Sequence, residues 1–147
     1  MTKVLTIGFT QTNAKSFFSS LKSAGVQKLI DVRLNNVSQL AGYAKKEDLK
    51  FFLKEICNVD YLHQPELAPT KEILDPYKKS NGDWAVYEDK FINLMEMRRI
   101  EHTFEASFFD NACLLCSEKH PHHCHRRLVV EYLNSKWGGG LEVKHLV

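Results

Sequence analysis

Between Ala112 and Arg127 the chain packs three cysteines, four histidines, one carboxylate and three cations into sixteen residues. No other stretch is as rich in groups able to attack, transfer a proton or ligate a metal. Cys116 and Cys124 are the two thiols set apart: Cys116 ends an apolar run, and Cys124 sits just before a segment of helical period. A thiolate at a helix start and near Arg126, Arg127 or Lys119 is stabilised by positive potential, which lowers its pKa and makes it a candidate nucleophile or redox thiol. Glu118 stands beside these sulfurs in sequence and supplies candidate acid–base chemistry.

Other chemistries need testing against the same spacing. Cys113-Leu-Leu-Cys116 looks like half a zinc site, yet residues three apart on a strand point to opposite faces and cannot chelate together. Cys113 and Cys57 read as small core residues. Loops of the phosphatase and sulfurtransferase kind need an arginine six residues after the cysteine. Position 122 is His, and Arg126 follows Cys124 by only two. A metal site has donors in Cys116, Glu118, His120, His122, His123, Cys124 and His125, but their spacing matches no zinc finger.

Three further places carry polar residues at the ends of apolar runs. Asp31-Val-Arg33 closes one run with opposite charges, which read either as a structural ion pair or as half of an anion clamp with Arg126. Gly8 and Thr10 lie in a strand-to-helix loop whose free N–H groups suit an anion, although Gly8 with a helix cap from Thr12 or Asn13 accounts for them equally well. His63 ends a third run.

These positions need a scaffold that brings them together. Apolar runs at Lys3–Ile7, Lys28–Val32, Val59–His63, Ala112–Cys116 and Leu141–Val147 read as strands. Helical period marks Ala14–Ala24, Lys46–Cys57 with a buried stripe of Leu49, Phe52, Leu53 and Ile56, and His125–Lys136. Most of Thr70–Phe109 also reads as helix, interrupted near Pro76 and at Asn81-Gly82. Strands alternating with helices predict an α/β fold: one compact domain over residues 1–147, with a mainly parallel open sheet of about five strands and helices on both faces. In such a sheet the strand C-termini share one edge, so Gly8, Thr10, Asp31, Arg33, His63 and Cys116–Arg126 are expected there.

Bulk properties narrow the partners. At 147 residues and 44% hydrophobic composition there is room for one core. A net charge of +2 is too small for non-specific nucleic-acid binding, so any anion preference must be local. The start of the chain lacks signal-peptide character and no apolar run reaches membrane length, so a cytoplasmic protein with reduced thiols and no membrane partner is expected.

In order along the chain, Thr6-Ile-Gly8, Asp31-Val-Arg33, Ser38, Tyr61-Leu-His63, Glu66-Leu67, Leu114-Leu-Cys-Ser-Glu118, Cys124-His-Arg126 and His145 resemble the family called domain of unknown function 488. The Cys-x-Glu followed by Cys-His-Arg is the most specific part. The resemblance implies a small α/β domain whose signature residues, including Ser38, Tyr61, His63 and His145, gather at one site; it leaves the activity open. Asn36 replaces a common proline, and Ala68 replaces a glycine that commonly follows Glu-Leu.

Three functions remain in play. The leading one is a small enzyme acting on an anionic small molecule, nucleotide or nucleic-acid end. Arg33, Arg126 and N–H groups near Gly8 and His125 would bind the anion, Asp31 and Glu118 would serve as acid–base groups, and Cys116 or Cys124 as nucleophile. The others are a non-catalytic anion or nucleic-acid binding module, and a divalent-metal domain using Cys116, Cys124 and His125, with Glu118, His63 or His145 completing it. No cofactor is demanded by the sequence.

Overall fold

The computed structural model describes residues 1–35, 42–79, 82–118 and 121–147. Five strands form one sheet: β1 (Thr2–Gly8), β2 (Lys28–Asp31), β3 (Asp60–His63), β4 (Ala112–Cys116) and β5 (Leu141–Leu146). Their order is β3-β2-β4-β1-β5, and every pairing is parallel. The sheet is thus parallel throughout.

Alternation along the strands feeds two cores. Val4, Ile30, Val32, Ala112, Leu114 and Cys116 face one side, against α3 (Lys71–Lys79), α4 (Trp84–Arg98), α5 (Ile100–Thr103) and α6 (His125–Lys136). Leu5, Ile7, Leu29, Cys113 and Leu115 face the other, against α1 (Ala14–Ser23) and α2 (Lys46–Phe52). Cys113 and Cys116 thus point to opposite faces, as a period of two requires.

Local chemistry sets the helix ends. The Asn13 side chain accepts from the Ser16 N–H at 2.8 Å to start α1, and Asp83 does the same for Ala85 at 2.9 Å to start α4. Two expectations for helices change. The segment read as one helix over Lys46–Cys57 switches after Phe52 into a π-turn, Leu53–Cys57. The wider turn rotates Ile56 out of the expected stripe, leaving it 47% exposed while Leu49 and Leu53 stay buried. Helix α3 also continues through Pro76 instead of breaking there. The Pro76 carbonyl accepts the Gly82 N–H at 3.2 Å; Asn81 of the expected turn lies outside the described residues.

Register places the chemistry. Gly8 pairs with Cys116, and one row across the sheet runs Leu146, Ile7, Leu115, Asp31, His63. The C-terminal ends of β2 and β4 are therefore neighbours, and the loops leaving them meet. Among the described residues no helix is long and apolar enough to cross a membrane.

Candidate functional site

Cys116 is the last residue of β4 and points toward α4 and α6. Contacts to the backbone shape the loop that leaves it. The Thr10 N–H and hydroxyl both donate to the Ser117 carbonyl, and the Arg126 Nη1 donates to the Glu118 carbonyl. Because a peptide plane holds its N–H opposite its C=O, pulling the Ser117 carbonyl toward Thr10 turns the Glu118 N–H toward the Cys116 sulfur. The N–H groups of Ser117 and Glu118 both support that sulfur.

Gly8 makes this close approach possible. A Cβ at position 8 would stand 1.5 Å from the Glu118 carbonyl oxygen and 2.9 Å from Arg126 Nη1. Only a residue without a side chain lets β1 pass beneath the loop.

The sulfur's neighbours divide the two thiols. A hydrogen bond from the Cys124 S–H is the main influence lowering the Cys116 pKa; the charge of Arg126 and the two N–H groups add to it and together outweigh burial. Burial, and then the hydrogen bond to Cys116 and its charge, push the Cys124 thiol far up. Arg126 Nη1 also donates to Cys124 Sγ at 3.5 Å. The chain Arg126 to Cys124 to Cys116 thus favours the proton on Cys124 and negative charge on Cys116. Cys113 is fully buried and burial raises its pKa strongly; Cys57 is half-buried and raised too.

His125 opens α6. Its Nε2 lies 2.6 Å from the Val32 carbonyl, an oxygen that only accepts, so Nε2 carries a proton. Cys116 Sγ lies 3.5 Å from Nδ1 and 3.8 Å from Nε2, almost equidistant, and so beside the ring instead of along the Nδ1 lone pair.

This detail bears on metal binding. Cys116, Cys124 and His125 bring three soft donors within 4.8 Å of one another, the right kinds for zinc. With Zn–S near 2.3 Å and Zn–N near 2.0–2.1 Å, however, tetrahedral ligation through Nδ1 would hold Sγ about 5 Å from Nε2. The observed 3.8 Å does not fit. Ligation through Nε2 would break the bond to Val32.

Across the sheet edge, Arg33 is held by its own strand end. Its Nε and Nη2 donate to Asp31 at 2.9 and 2.8 Å, and Nη2 also reaches the Ala44 carbonyl at 2.7 Å. Asp31 is fully buried and further accepts the Arg33 backbone N–H at 3.1 Å and the Tyr61 hydroxyl at 2.5 Å. His63 Nε2 donates to the Arg33 carbonyl at 2.8 Å. Burial pulls the Arg33 pKa down, but Asp31 and Tyr61 outweigh it and the net shift is upward. One nitrogen remains: Nη1 is buried without a hydrogen-bond partner among the described residues.

Arg33 and Cys116 line one cavity of about 200 Å³. Ser117, Glu118, Cys124 and His125 complete its polar side, and Leu74, Tyr77, Trp84 and Tyr87 of α3 and α4 form an apolar wall. Trp84 stacks between Tyr87 at 5.1 Å and His123 at 4.9 Å, which ties α4 to the β4–α6 loop.

Of the residues proposed from sequence, the cavity therefore gathers Arg33, Cys116, Glu118, Cys124 and His125. Asp31, Tyr61 and His63 stand behind Arg33, while Gly8, Thr10 and Arg126 stand behind the loop. Arg126 is fully enclosed, so the two arginines do not form a clamp on one ligand. His145 lies away, on β5, where its Nδ1 meets the Thr6 hydroxyl at 2.6 Å; burial and the nearby Arg126 charge lower its pKa. Ser38, Asn36, Lys119 and His120 lie outside the described residues. Ala68 adopts φ −97°, which any residue accepts, so the family's common glycine is not needed there.

Sequence reasoning missed the aromatic wall and Arg98. Arg98 Nη1 donates to the carbonyls of Pro65, Glu66 and Ala68 at 3.3, 2.8 and 2.7 Å, holding the turn that precedes the cavity residue Pro69.

A family model, that of the domain of unknown function DUF488, matches residues 13–133. The chain belongs to the DUF488 family. That match contains both walls of the cavity, from Arg33 through the aromatic helices to His125. No curated protein and no solved structure matches the chain.

Proposed function

We propose that this DUF488 protein is an enzyme in which the Cys116 thiolate attacks a small anionic substrate held by Arg33. The observation that carries this reading is the pairing, in one cavity, of a sulfur supported by two N–H groups and a neighbouring thiol with a buried guanidinium whose Nη1 has no hydrogen-bond partner among the described residues. A buried donor without a partner costs free energy unless a ligand or water completes it, and a carboxylate or phosphate oxygen suits an arginine best. Cys116 forms the bond to the substrate's electrophilic atom. Cys124, which retains its proton, and Glu118 at the cavity wall are the groups able to protonate the departing fragment. Asp31 has the different task of holding Arg33.

A cavity of this size admits a small metabolite or the phosphorylated end of a nucleic acid, but not a stretch of duplex. Iodoacetamide labelling followed by mass spectrometry tests the reading. Cys116 is expected to label first of the four cysteines. Its rate should rise with pH as the thiolate forms and level off below about pH 8.5, the ordinary thiol midpoint. Phosphate, a nucleotide or a 5′-phosphorylated oligonucleotide should slow labelling of the wild type and leave Arg33→Met unaffected. Cys116 labelling no faster than Cys57, or with a midpoint in the ordinary thiol range, would overturn it.

A further inference from the structure

The cavity presents two sulfurs. Cys116 and Cys124 bring their sulfurs within 4.8 Å of each other, and the Cys124 thiol supports negative charge on Cys116. Both line the cavity, so a small oxidant entering it meets the pair together, whereas Cys113 sits on the far side of the sheet. A chain of seven residues, 117 to 123, separates them, long enough to close a ring between the end of β4 and the start of α6.

We infer that Cys116 and Cys124 form a redox couple in which Cys116 is oxidised by a hydroperoxide and Cys124 resolves the product as a reversible disulfide. The inference rests on the thiolate reading of Cys116 and adds a task for Cys124. In the first step the Cys116 thiolate attacks the outer oxygen of R–O–O–H. A sulfur–oxygen bond forms, the oxygen–oxygen bond breaks, and RO⁻ leaves to take a proton from water; sulfur is oxidised to the sulfenic acid and the peroxide is reduced. In the second step the Cys124 sulfur attacks the Cys116 sulfur, the sulfur–oxygen bond breaks, and the hydroxyl departs as water with the Cys124 proton. Two thiols and one hydroperoxide thus give one disulfide, one alcohol and one water.

Burial and the charge of Cys116 hold the proton on Cys124, and oxidation of Cys116 removes that charge. Arg126 Nη1 at 3.5 Å from Cys124 Sγ stabilises negative charge developing on the resolving sulfur, and the N–H groups of Ser117 and Glu118 do so for Cys116. Proximity replaces a bimolecular encounter with an intramolecular one. A disulfide removes the nucleophile from the cavity, and a dithiol returns it. One thiolate of the dithiol attacks a disulfide sulfur and frees one cysteine; its second thiol then displaces the other, leaving both cysteines reduced and the dithiol oxidised to its own disulfide.

The test uses the full chain, reduced, freed of reductant and held in chelator so that no adventitious metal masks the thiols. One equivalent of hydrogen peroxide is added, and remaining thiols are capped for peptide mapping. Trypsin cleaves after Lys119, between the two cysteines, so a Cys116–Cys124 bond joins two peptides, and fragmentation of the linked pair assigns the bond to Cys116 and not to Cys113 of the same peptide. The expected result is that linked pair, with loss of Cys116 alkylation that dithiothreitol restores. In Cys124→Ser the disulfide should vanish and dimedone should tag Cys116; in Cys116→Ser neither product should form. Peroxide that leaves both thiols free, or links Cys57 or Cys113 instead, overturns the couple. Iodoacetamide labelling of the same reduced preparation, before peroxide is added, separates the failures: fast labelling of Cys116 without a later disulfide rejects only the redox couple, and slow labelling rejects the thiolate reading as well.

Discussion

Removing the Arg33 guanidinium should destabilise the protein far more than removing it together with its partner. Asp31 is fully buried and the Arg33 side chain is 3% exposed, so Arg33→Met leaves a carboxylate in the interior with, among the described residues, the Tyr61 hydroxyl and one backbone N–H as its donors. Breaking a buried ion pair from one side costs about 3–5 kcal/mol. The two surviving hydrogen bonds place this case near the lower end, about 3 kcal/mol. Asp31→Asn strands the cation and should cost a similar amount. The double variant, Asp31→Asn with Arg33→Met, has no buried charge and should lose only about 1 kcal/mol, since a buried pair replaced by neutral groups is often close to neutral. Against a typical domain stability of about 5–15 kcal/mol, either single change is large, worth roughly 6–12 °C in Tm at about 2–4 °C per kcal/mol. Urea unfolding followed by the fluorescence of the two tryptophans, Trp84 and Trp137, measures all four proteins. Single variants costing under about 1 kcal/mol, or a double variant equal to the sum of the singles, would refute the closed-pair reasoning. The same four proteins separate scaffold from ligand chemistry: the double variant should fold, yet show no thermal stabilisation by phosphate.

Two other changes probe how the cavity is held. Gly8→Ala places a methyl group 1.5 Å from the Glu118 carbonyl oxygen, so β1 and the β4–α6 loop must separate; a loss at or above the top of the ~1–3 kcal/mol range for overpacking is expected in urea unfolding, with slower Cys116 alkylation as the N–H groups shift. Arg98→Ala removes the donor to three carbonyls and should cost about 2 kcal/mol, with earlier hydrogen exchange or proteolysis around Pro65–Ala68; unchanged protection there would show that the turn holds itself.

Strand ends were legible because an apolar run closed by charged residues fits little besides a strand reaching the edge of its sheet. β4 and α6 match their expected limits, and Cys116, Glu118, Cys124 and His125 come together as their spacing suggested. Arg126 was legible as important and illegible in its task. One of its acceptors is the Glu118 carbonyl, a group that every residue carries, so no sequence pattern announces it. The same holds for Arg98. Tyr77, Trp84 and Tyr87 fall in the stretch legible only as helix, because periodicity reports that a face is covered and not whether protein or a cavity covers it. The π-turn at Leu53–Cys57 was invisible for a related reason: one extra residue in a turn leaves the apolar count unchanged and alters only where Ile56 points.

The strand order also constrains synthesis. β4 lies between β1 and β2, pairing Ala112 with Val4 on one side and Lys28 on the other. While a ribosome is still making the first 111 residues, β1 and β2 have no common neighbour and the sheet has a slot at its centre. Closing it requires contacts spanning about a hundred positions, the kind that form late because chain entropy must be lost first. The strand that fills the slot is the one that carries Cys116. The groups that surround the sulfur therefore assemble in the same event that completes the sheet.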